Sequence, residues 1–361
     1  MAAILKELRR CRELGIRGVL GTIISTEGST YQKAGAKCFF SEDGSVTGQL
    51  SGGCLEEDIK AHLEKIMDNG ISEIMEYDFR DPDDILWGLG SGCQGKMKIL
   101  LEAFCPENKK EENLMYEYFE AGEKKEMHLI TIIHCDDKSR IGLKWLLDPC
   151  SKDLPVTLTK EIASDYLIQR RSRKNGISQI MDEWNTRIFF EILEPPPQLV
   201  IFGAGPDAIP LSEMAKILNW KVILLDYRPA YADKEKFPGA DEIIVYPSGE
   251  VPEVGGNKNT FIVVMTHHFL QDQKILEKLM AFNQHYVGVL GPKKRTKKLI
   301  MTSEQLRLNF KSREICSPIG LDIGSKSPEE IALSILAEIL MVYRGGSGSR
   351  LYEMNGRNTG R

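Results

Sequence analysis

The chain has 361 residues, a formal net charge of −5 and 42% hydrophobic residues, with a sequence pI near 5.8. At roughly 150 residues per domain, this length predicts two or three domains with ample material for buried cores. The acidic balance excludes a general nucleic-acid binder, and no apolar stretch approaches the roughly 20 residues that span a bilayer. Residues 1–18 interleave charges with apolar side chains and lack an apolar signal-peptide core. They predict an amphipathic helix in a cytoplasmic protein. Eight cysteines occur, none in a C-x-x-C or a structural-zinc spacing, so reduced thiols are expected, mostly as small buried hydrophobes.

Strands are predicted over 18–26, 36–40, 45–50 and 97–103, with Ser41-Glu42-Asp43-Gly44-Ser45 turning the second into the third. Ser51-Gly52-Gly53-Cys54 then opens a helix predicted over 54–67. A thiol at a helix N-terminus has its thiolate favoured by the dipole, which makes Cys54 a candidate soft-metal or sulfur ligand. Glu56 and Glu57 in the same turn oppose an anion there. Cys93, in Gly-Ser-Gly-Cys-Gln-Gly, sits in a similarly permissive backbone. Each thiol alone reads equally as a buried filler; two glycine loops presenting one Cys apiece tip the reading toward function. Residues 107–127 predict a charged surface helix, whereas 152–175 show no clear period.

Glu194-Pro195-Pro196-Pro197-Gln198 cannot continue a helix or a central strand and predicts a stiff connector. The expected organisation is an N-terminal α+β domain (1–194), a Rossmann-like α/β domain (195–344) and a disordered tail (345–361). Strands predicted at 199–202, 221–225, 242–245, 261–265 and 286–290 alternate with helices at 209–218 and 273–281. That alternation predicts a parallel sheet with right-handed crossovers. The last helix carries Ser327 as N-cap, Pro328 at the first position and Glu330 at the third, with Gly345 and Gly346 as its stop.

Leu199 to Ala208, LVIFGAGPDA, has the strand-turn-helix form of the G-x-G-x-x-A dinucleotide fingerprint. Gly203 permits the tight turn and Gly205 lets backbone approach a phosphate at the helix N-terminus. Asp226 ends the next strand, where a carboxylate would accept from ribose hydroxyls. The same glycines would also serve a tight crossover with no ligand. His267 and His268 follow a further strand, and Gly291-Pro292-Lys293-Lys294-Arg295 another, so both segments reach the same sheet edge. Lys293 is a candidate phosphate contact, while Lys297 and Lys298 read as a solvated face.

The strings STEGSTYQKAGAKCFF, GQLSGGCLEEDI, FFEILEPPPQLVIFGAGPDA, VILLDYRP, THHFLQDQKIL, YVGVLGPKKR and IGLDIGSKSPEEIALSILAEIL occur in this order. Together they resemble the XdhC/CoxI family, accessory proteins of xanthine dehydrogenase and related molybdenum hydroxylases. The resemblance runs from about residue 22 to 340 and is weak across 107–187. Cys38 and Ser51 depart from the family's pattern, where Met and Gly are common, and Cys38 is expected to be a packed hydrophobe. The resemblance implies a chaperone that binds the molybdenum cofactor, as molybdopterin or its dinucleotide form, while a cysteine desulfurase exchanges an oxo ligand for the terminal sulfido. Delivery to apo-xanthine dehydrogenase or a related hydroxylase follows. It implies a cytoplasmic homodimer that is a non-catalytic maturation factor. Cys54 and Cys93 would be the molybdenum or sulfur contacts, and Gly52, Gly53, Gly203, Gly205, Asp226, His267 and Lys293 would complete the cofactor-binding set, in a cleft between domains. A xanthine dehydrogenase proper is excluded by the length and by the missing iron–sulfur cysteine spacing. Two rivals remain open: an NAD(P)-dependent oxidoreductase with His267 or His268 as acid–base and Lys293 as substrate anchor, and an adaptor with a vestigial nucleotide site.

Overall fold

Local chemistry places each element of the computed structural model, which describes residues 1–80, 94–106, 109–254, 258–279, 286–309 and 315–353. For Cys54, Gln94, residues 109–114, Asn309 and Glu353 it describes backbone alone. The chain divides into two units, Met1–Pro195 and a second beginning at Pro196. Helix α1 (Ala2–Leu14) buries Ile4, Leu5, Leu8 and Cys11 along one stripe and stops at Gly15, whose φ is 69°. Strands β1 (Gly18–Ser29), β2 (Lys37–Ser41) and β3 (Val46–Gly48) follow.

The helix expected over 54–67 is two short ones, α2 (Cys54–Lys60) and α3 (Leu63–Asn69). Backbone bonds Ala61 to Asp58 and His62 to Ile59 close tight three-residue turns between them. The break lets Ile59, Ile66 and Met67 all enter one apolar cluster. Strands β4 (Glu73–Asp78) and β5 (Gln94–Phe104) complete an antiparallel sheet of order β3-β2-β1-β5-β4. Helix α4 (Lys109–Lys124) leads to β6 (Met127–His134) and β7 (Lys144–Leu147). Helix α5 (Lys160–Ser172), β8 (Gly176–Gln179) and β9 (Arg187–Leu193) form the rest of this unit. Its second antiparallel sheet has the order β7-β6-β9-β8. Helix α5 lies where the sequence showed no period, because it buries only Ile162 and Tyr166 and leaves Leu167 and Ile168 exposed. Thr159 caps it by accepting from Ile162 N at 3.4 Å.

Ile24 and Leu100 of the first sheet meet Ile133 and Phe189 of the second. Two ion pairs cross the same junction: Lys37 to Glu191 at 2.7 Å and Lys144 to Glu102 at 2.5 Å. All four side chains are at most 10% exposed, so these charges depend on each other rather than on water.

The second unit holds β10 (Gln198–Phe202), α6 (Ala208–Ile217), β11 (Lys221–Asp226), β12 (Glu242–Val245) and β13 (Thr260–Val264). After them come α7 (Phe269–Leu279), β14 (Tyr286–Val289), α8 (Lys293–Met301), α9 (Glu304–Asn309) and α10 (Pro328–Arg344). The five strands are all parallel, in the order β12-β11-β10-β13-β14. Both sheet faces are covered: Leu199 and Ile201 pack on the side of α6 and α10, Val200 and Phe202 on the side of α7 and α8. The chain runs outward from β10 through β11 and β12, then restarts on its other side at β13. The gap between β10 and β13 is therefore the topological switch point, where open parallel sheets bind ligands. Ser327 and Glu330 form the reciprocal capping box at the start of α10, and Gly345 ends it at φ 67°. Residues 345–350 have no helix or strand, and a short 3₁₀ turn spans Leu351–Glu353; residues 354–361 lie outside the described residues. No helix among the described residues is long and apolar enough to cross a membrane.

Candidate functional site

The switch point is built by Gly203. Its φ of 116° and its surroundings both demand glycine: a Cβ would stand 2.5 Å from Met265 O, 2.6 Å from Met265 C and 2.8 Å from Thr266 N. Those are backbone atoms at the exit of β13 and cannot swing aside. Gly203 therefore brings two strand ends together, and its N–H donates to Leu225 O at 2.8 Å across the third. At Gly205 a Cβ would lie 2.6 Å from Asp207 Oδ1, so the neighbour it makes room for is a carboxylate. Asp207 Oδ2 in turn lies 2.7 Å from His267 Nε2. His267 sits at φ 59°, a left-handed backbone that non-glycine residues adopt at a cost. The strained turn and the short contact hold an acid–imidazole pair on the sheet edge, with the His267 side chain 61% exposed.

Asp226 differs from the expected ribose acceptor. It is fully buried. Its Oδ1 accepts from Arg228 N at 2.8 Å and Arg228 Nε at 2.9 Å, and its Oδ2 from Ala204 N and Arg228 Nη2, both at 2.7 Å. Burial alone would push its carboxyl up; Arg228 and the two backbone N–H groups outweigh that and hold it below the ordinary carboxylate range. A carboxyl held low stabilises the fold fully above its unfolded value of about 3.9, and that stabilisation is lost as pH falls through the lower folded value. The stability gap between the native chain and Asp226→Asn should accordingly be widest near neutral pH and narrow in acid, as read by urea unfolding across pH. A gap of constant width would assign the loss to packing instead.

Thr266 Oγ1 donates to Asp272 Oδ1 at 2.5 Å, and Arg295 Nη2 pairs with Asp272 Oδ2 at 2.6 Å. This buried network ties the exit of β13 to the first turn of α8. It leaves Lys293 and Lys294 exposed at that helix start, with no ion pair among the described residues. His268 is a helix cap: its Nδ1 accepts from Gln271 N at 3.2 Å.

The cysteine loop lies in the other unit. Glu56, which sequence reasoning set against an anion, is buried and accepts from Leu50 N at 3.0 Å, Ser51 N at 2.8 Å and Ser51 Oγ at 2.5 Å. Ser51 Oγ also receives Gly53 N and Leu55 N, so the serine fastens the loop from inside. Gly52 and Gly53 are exposed, with no atom within 4 Å of where a Cβ would stand, and Gly53 has φ 119°. The loop thus shows an open backbone face next to Cys54. Cys93 lies outside the described residues. Among the described residues no three His, Cys, Asp or Glu side chains are grouped to hold a metal. Cys38 is a packed hydrophobe, its thiol pushed up to about 12 chiefly by burial, and Cys11 is likewise raised to about 11. The residues that sequence reasoning missed, Asp207, Arg228 and Asp272, lie in a loop or at a helix start and had no periodic signal to mark them; Arg295 was placed at this edge, but not its pairing with Asp272.

Fold and edge define a Rossmann-domain protein, its glycine turn facing an acid–imidazole pair and a buried acid–arginine pair, joined to a two-sheet antiparallel unit. A model of the XdhC Rossmann domain matches residues 199–339, and one of the XdhC and CoxI family matches residues 11–78. A Bacillus subtilis protein described as a probable subunit of xanthine dehydrogenase is 34% identical over 328 residues, 89% of this chain and 92% of that one. The molybdenum cofactor insertion chaperone PaoD of Escherichia coli is 21% identical over 330 residues, 91% of this chain and 84% of that one. A crystal structure from Bacillus halodurans, described as a xanthine dehydrogenase, superposes with a TM-score of 0.73 at 32% identity, covering 96% of this chain and 98% of that one. The chain belongs to the XdhC and CoxI family.

Proposed function

We propose that the protein is a maturation factor for a molybdenum hydroxylase. It would take up the molybdenum cofactor as cargo, hold it while a cysteine desulfurase supplies the terminal sulfido, and pass it to apo-xanthine dehydrogenase or a related enzyme. The observation that carries this reading is kinship extending over both units to a relative described as a molybdenum cofactor insertion chaperone. The residues fit such a cargo in kind. In the first unit an open glycine backbone next to Cys54 suits a soft metal or sulfur contact, and in the second Lys293 and Arg228 suit a phosphate; Cys93 is proposed as a further thiol. The protein would act in the cytoplasm as a homodimer.

The test is molybdenum and pterin content of the full chain purified without oxygen from cells that make the cofactor. Near-stoichiometric content is expected, falling at least tenfold in Cys54→Ala, with the melting temperature measured beside it to separate lost binding from lost folding. Absence of both molybdenum and pterin from the native chain would overturn the reading. The Asp207–His267 pair favours a second reading, an NAD(P)-dependent oxidoreductase with His267 as the acid–base group. Hydride transfer between a reduced nicotinamide and a small carbonyl compound, lost in His267→Ala, would support it.

A further inference from the structure

In a Rossmann sheet the carboxylate that ends the second strand commonly accepts hydrogen bonds from an unsubstituted ribose diol. Asp226 stands at that position and has nothing left to accept with. A carboxylate offers about four lone-pair sites, and four donors occupy those of Asp226: Ala204 N, Arg228 N, Arg228 Nε and Arg228 Nη2. A diol would have to displace either a backbone N–H or a charged guanidinium fork from a buried anion. Either exchange is unfavourable, because the displaced donor leaves a charged acceptor less well satisfied in a dry site.

Arg228 is unsaturated where Asp226 is full. Of the five guanidinium N–H donors, one on Nε and one on Nη2 go to Asp226. The other three have no protein acceptor among the described residues, and the side chain is 30% exposed. The guanidinium lies 4.0 Å from the Tyr231 ring centroid and 5.2 Å from that of Tyr227, so its plane is held by aromatic contact as well as by the carboxylate. Lys236 Nζ lies 5.6 Å from the same Tyr231 ring, adding a second cation to this corner. Arginine held in this way is preorganised for bidentate recognition of a doubly charged oxyanion.

We propose that the corner beyond the second strand of this sheet, at Arg228, takes a phosphomonoester dianion and rejects a free ribose diol. Two ligands bring that chemistry: the 2′-phosphate of an adenine dinucleotide, and the terminal phosphomonoester of a pterin cofactor. The nucleotide arm stands apart from the maturation role above, whereas the pterin arm rests on it, so failure of that role leaves the NADPH-to-NADH ratio as the test of this corner.

Titration of the full chain with NADPH and with NADH, followed by calorimetry, provides the first arm. NADPH is expected to bind at least tenfold more tightly, the scale of one charge-assisted hydrogen bond. Adenosine 2′,5′-bisphosphate should displace it, and adenosine, which offers the diol without a phosphomonoester, should not. The ratio of the two affinities is the decisive readout, because a purely structural Arg228 would leave it unchanged. Arg228→Lys keeps a cation on Asp226 but loses the fork, and the double change Asp226→Asn/Arg228→Gln avoids stranding a buried carboxylate; both should bring the ratio to near one. The second arm is pterin content after co-expression with cofactor synthesis. If neither nicotinamide nucleotide binds but the double variant loses pterin at least tenfold, the phosphomonoester belongs to the pterin. Equal binding of NADH and NADPH overturns the proposal. So does a double variant that keeps the native affinity ratio, or, where no nucleotide binds, the native pterin content.

Discussion

Replacing Gly203 with alanine is expected to destabilise the Rossmann unit by about 3 kcal/mol or more, from backbone strain at positive φ and overpacking that each cost roughly 1–3 kcal/mol. The φ of 116° lies where L side chains are strained whatever the space. The added carbon would also stand 2.5 Å from Met265 O, an atom fixed by the pairing of β13 with β10 and β14. Relief would require the two strand ends to separate, and Met265 N donates to Phe202 O at 2.8 Å in that same corner. Urea unfolding together with hydrogen exchange at β10 and β13 would measure the loss. The expected signature is early exchange confined to the second unit. A variant within about 0.5 kcal/mol of the native chain, the range of an ordinary surface change, would show that the turn tolerates a side chain and that its glycine serves a ligand alone.

Glu191→Ala should cost about 3–5 kcal/mol, the penalty for leaving one member of a buried ion pair without its partner. The Lys37 side chain is 6% exposed, and among the described residues its Nζ would retain only Thr22 Oγ1, at 3.2 Å, as an acceptor. The double variant Lys37→Met/Glu191→Leu should recover most of that loss, since apolar residues of similar volume need neither water nor a counter-charge. Chemical denaturation of both variants tests the pair. A double variant as unstable as the single would mean that the charges themselves hold the two sheets together, and not merely that each requires the other.

The contrast between these two sites also explains what could be read from the amino acids. The five parallel strands were legible to within a residue or two; β10, β11, β13 and β14 are largely buried on both faces, so apolar runs such as Leu199–Phe202 stand out between glycine and proline punctuation, and the half-exposed edge strand β12 is marked by its isoleucine pair. The start of α10 was legible because Ser327, Pro328 and Glu330 act within one turn. The N-terminal unit was read less completely. Strands β4, β7 and β8 and helix α5 carried no local signal strong enough to separate them, whereas β6 and β9 hold apolar runs, MHLITIIH and RIFFEIL, that the reading of the sequence left unassigned. Lys144–Leu147 and Gly176–Gln179 are four residues each and owe their form to distant partners, Lys144 pairing with Thr131 and Gly176 with Phe190. At the sheet edge, Gly203 and Asp226 were visible from their positions at strand ends. Asp207 and His267 are sixty residues apart and meet only because β10 and β13 are neighbours. That Asp226 turns inward follows from Arg228 two residues on, a loop residue with no spacing rule to announce its fork.

Helix α10 has one more consequence, for the order in which the newly made chain can settle. Ala204, Ala208, Leu211 and Ala215 behind the glycine turn are shielded by Ala332, Ile335, Leu336 and Ile339. Positions 208 and 332 are 124 residues apart, and a ribosome adding roughly 5–20 residues per second takes on the order of ten seconds to cover that distance. Throughout that interval an apolar surface next to the nucleotide turn stays bare on the emerging polypeptide, while the first unit has already left the exit tunnel and can close. A stop codon before Ser327 would therefore leave a chain with a finished N-terminal half and a sticky second half, a natural substrate for holdases and proteases.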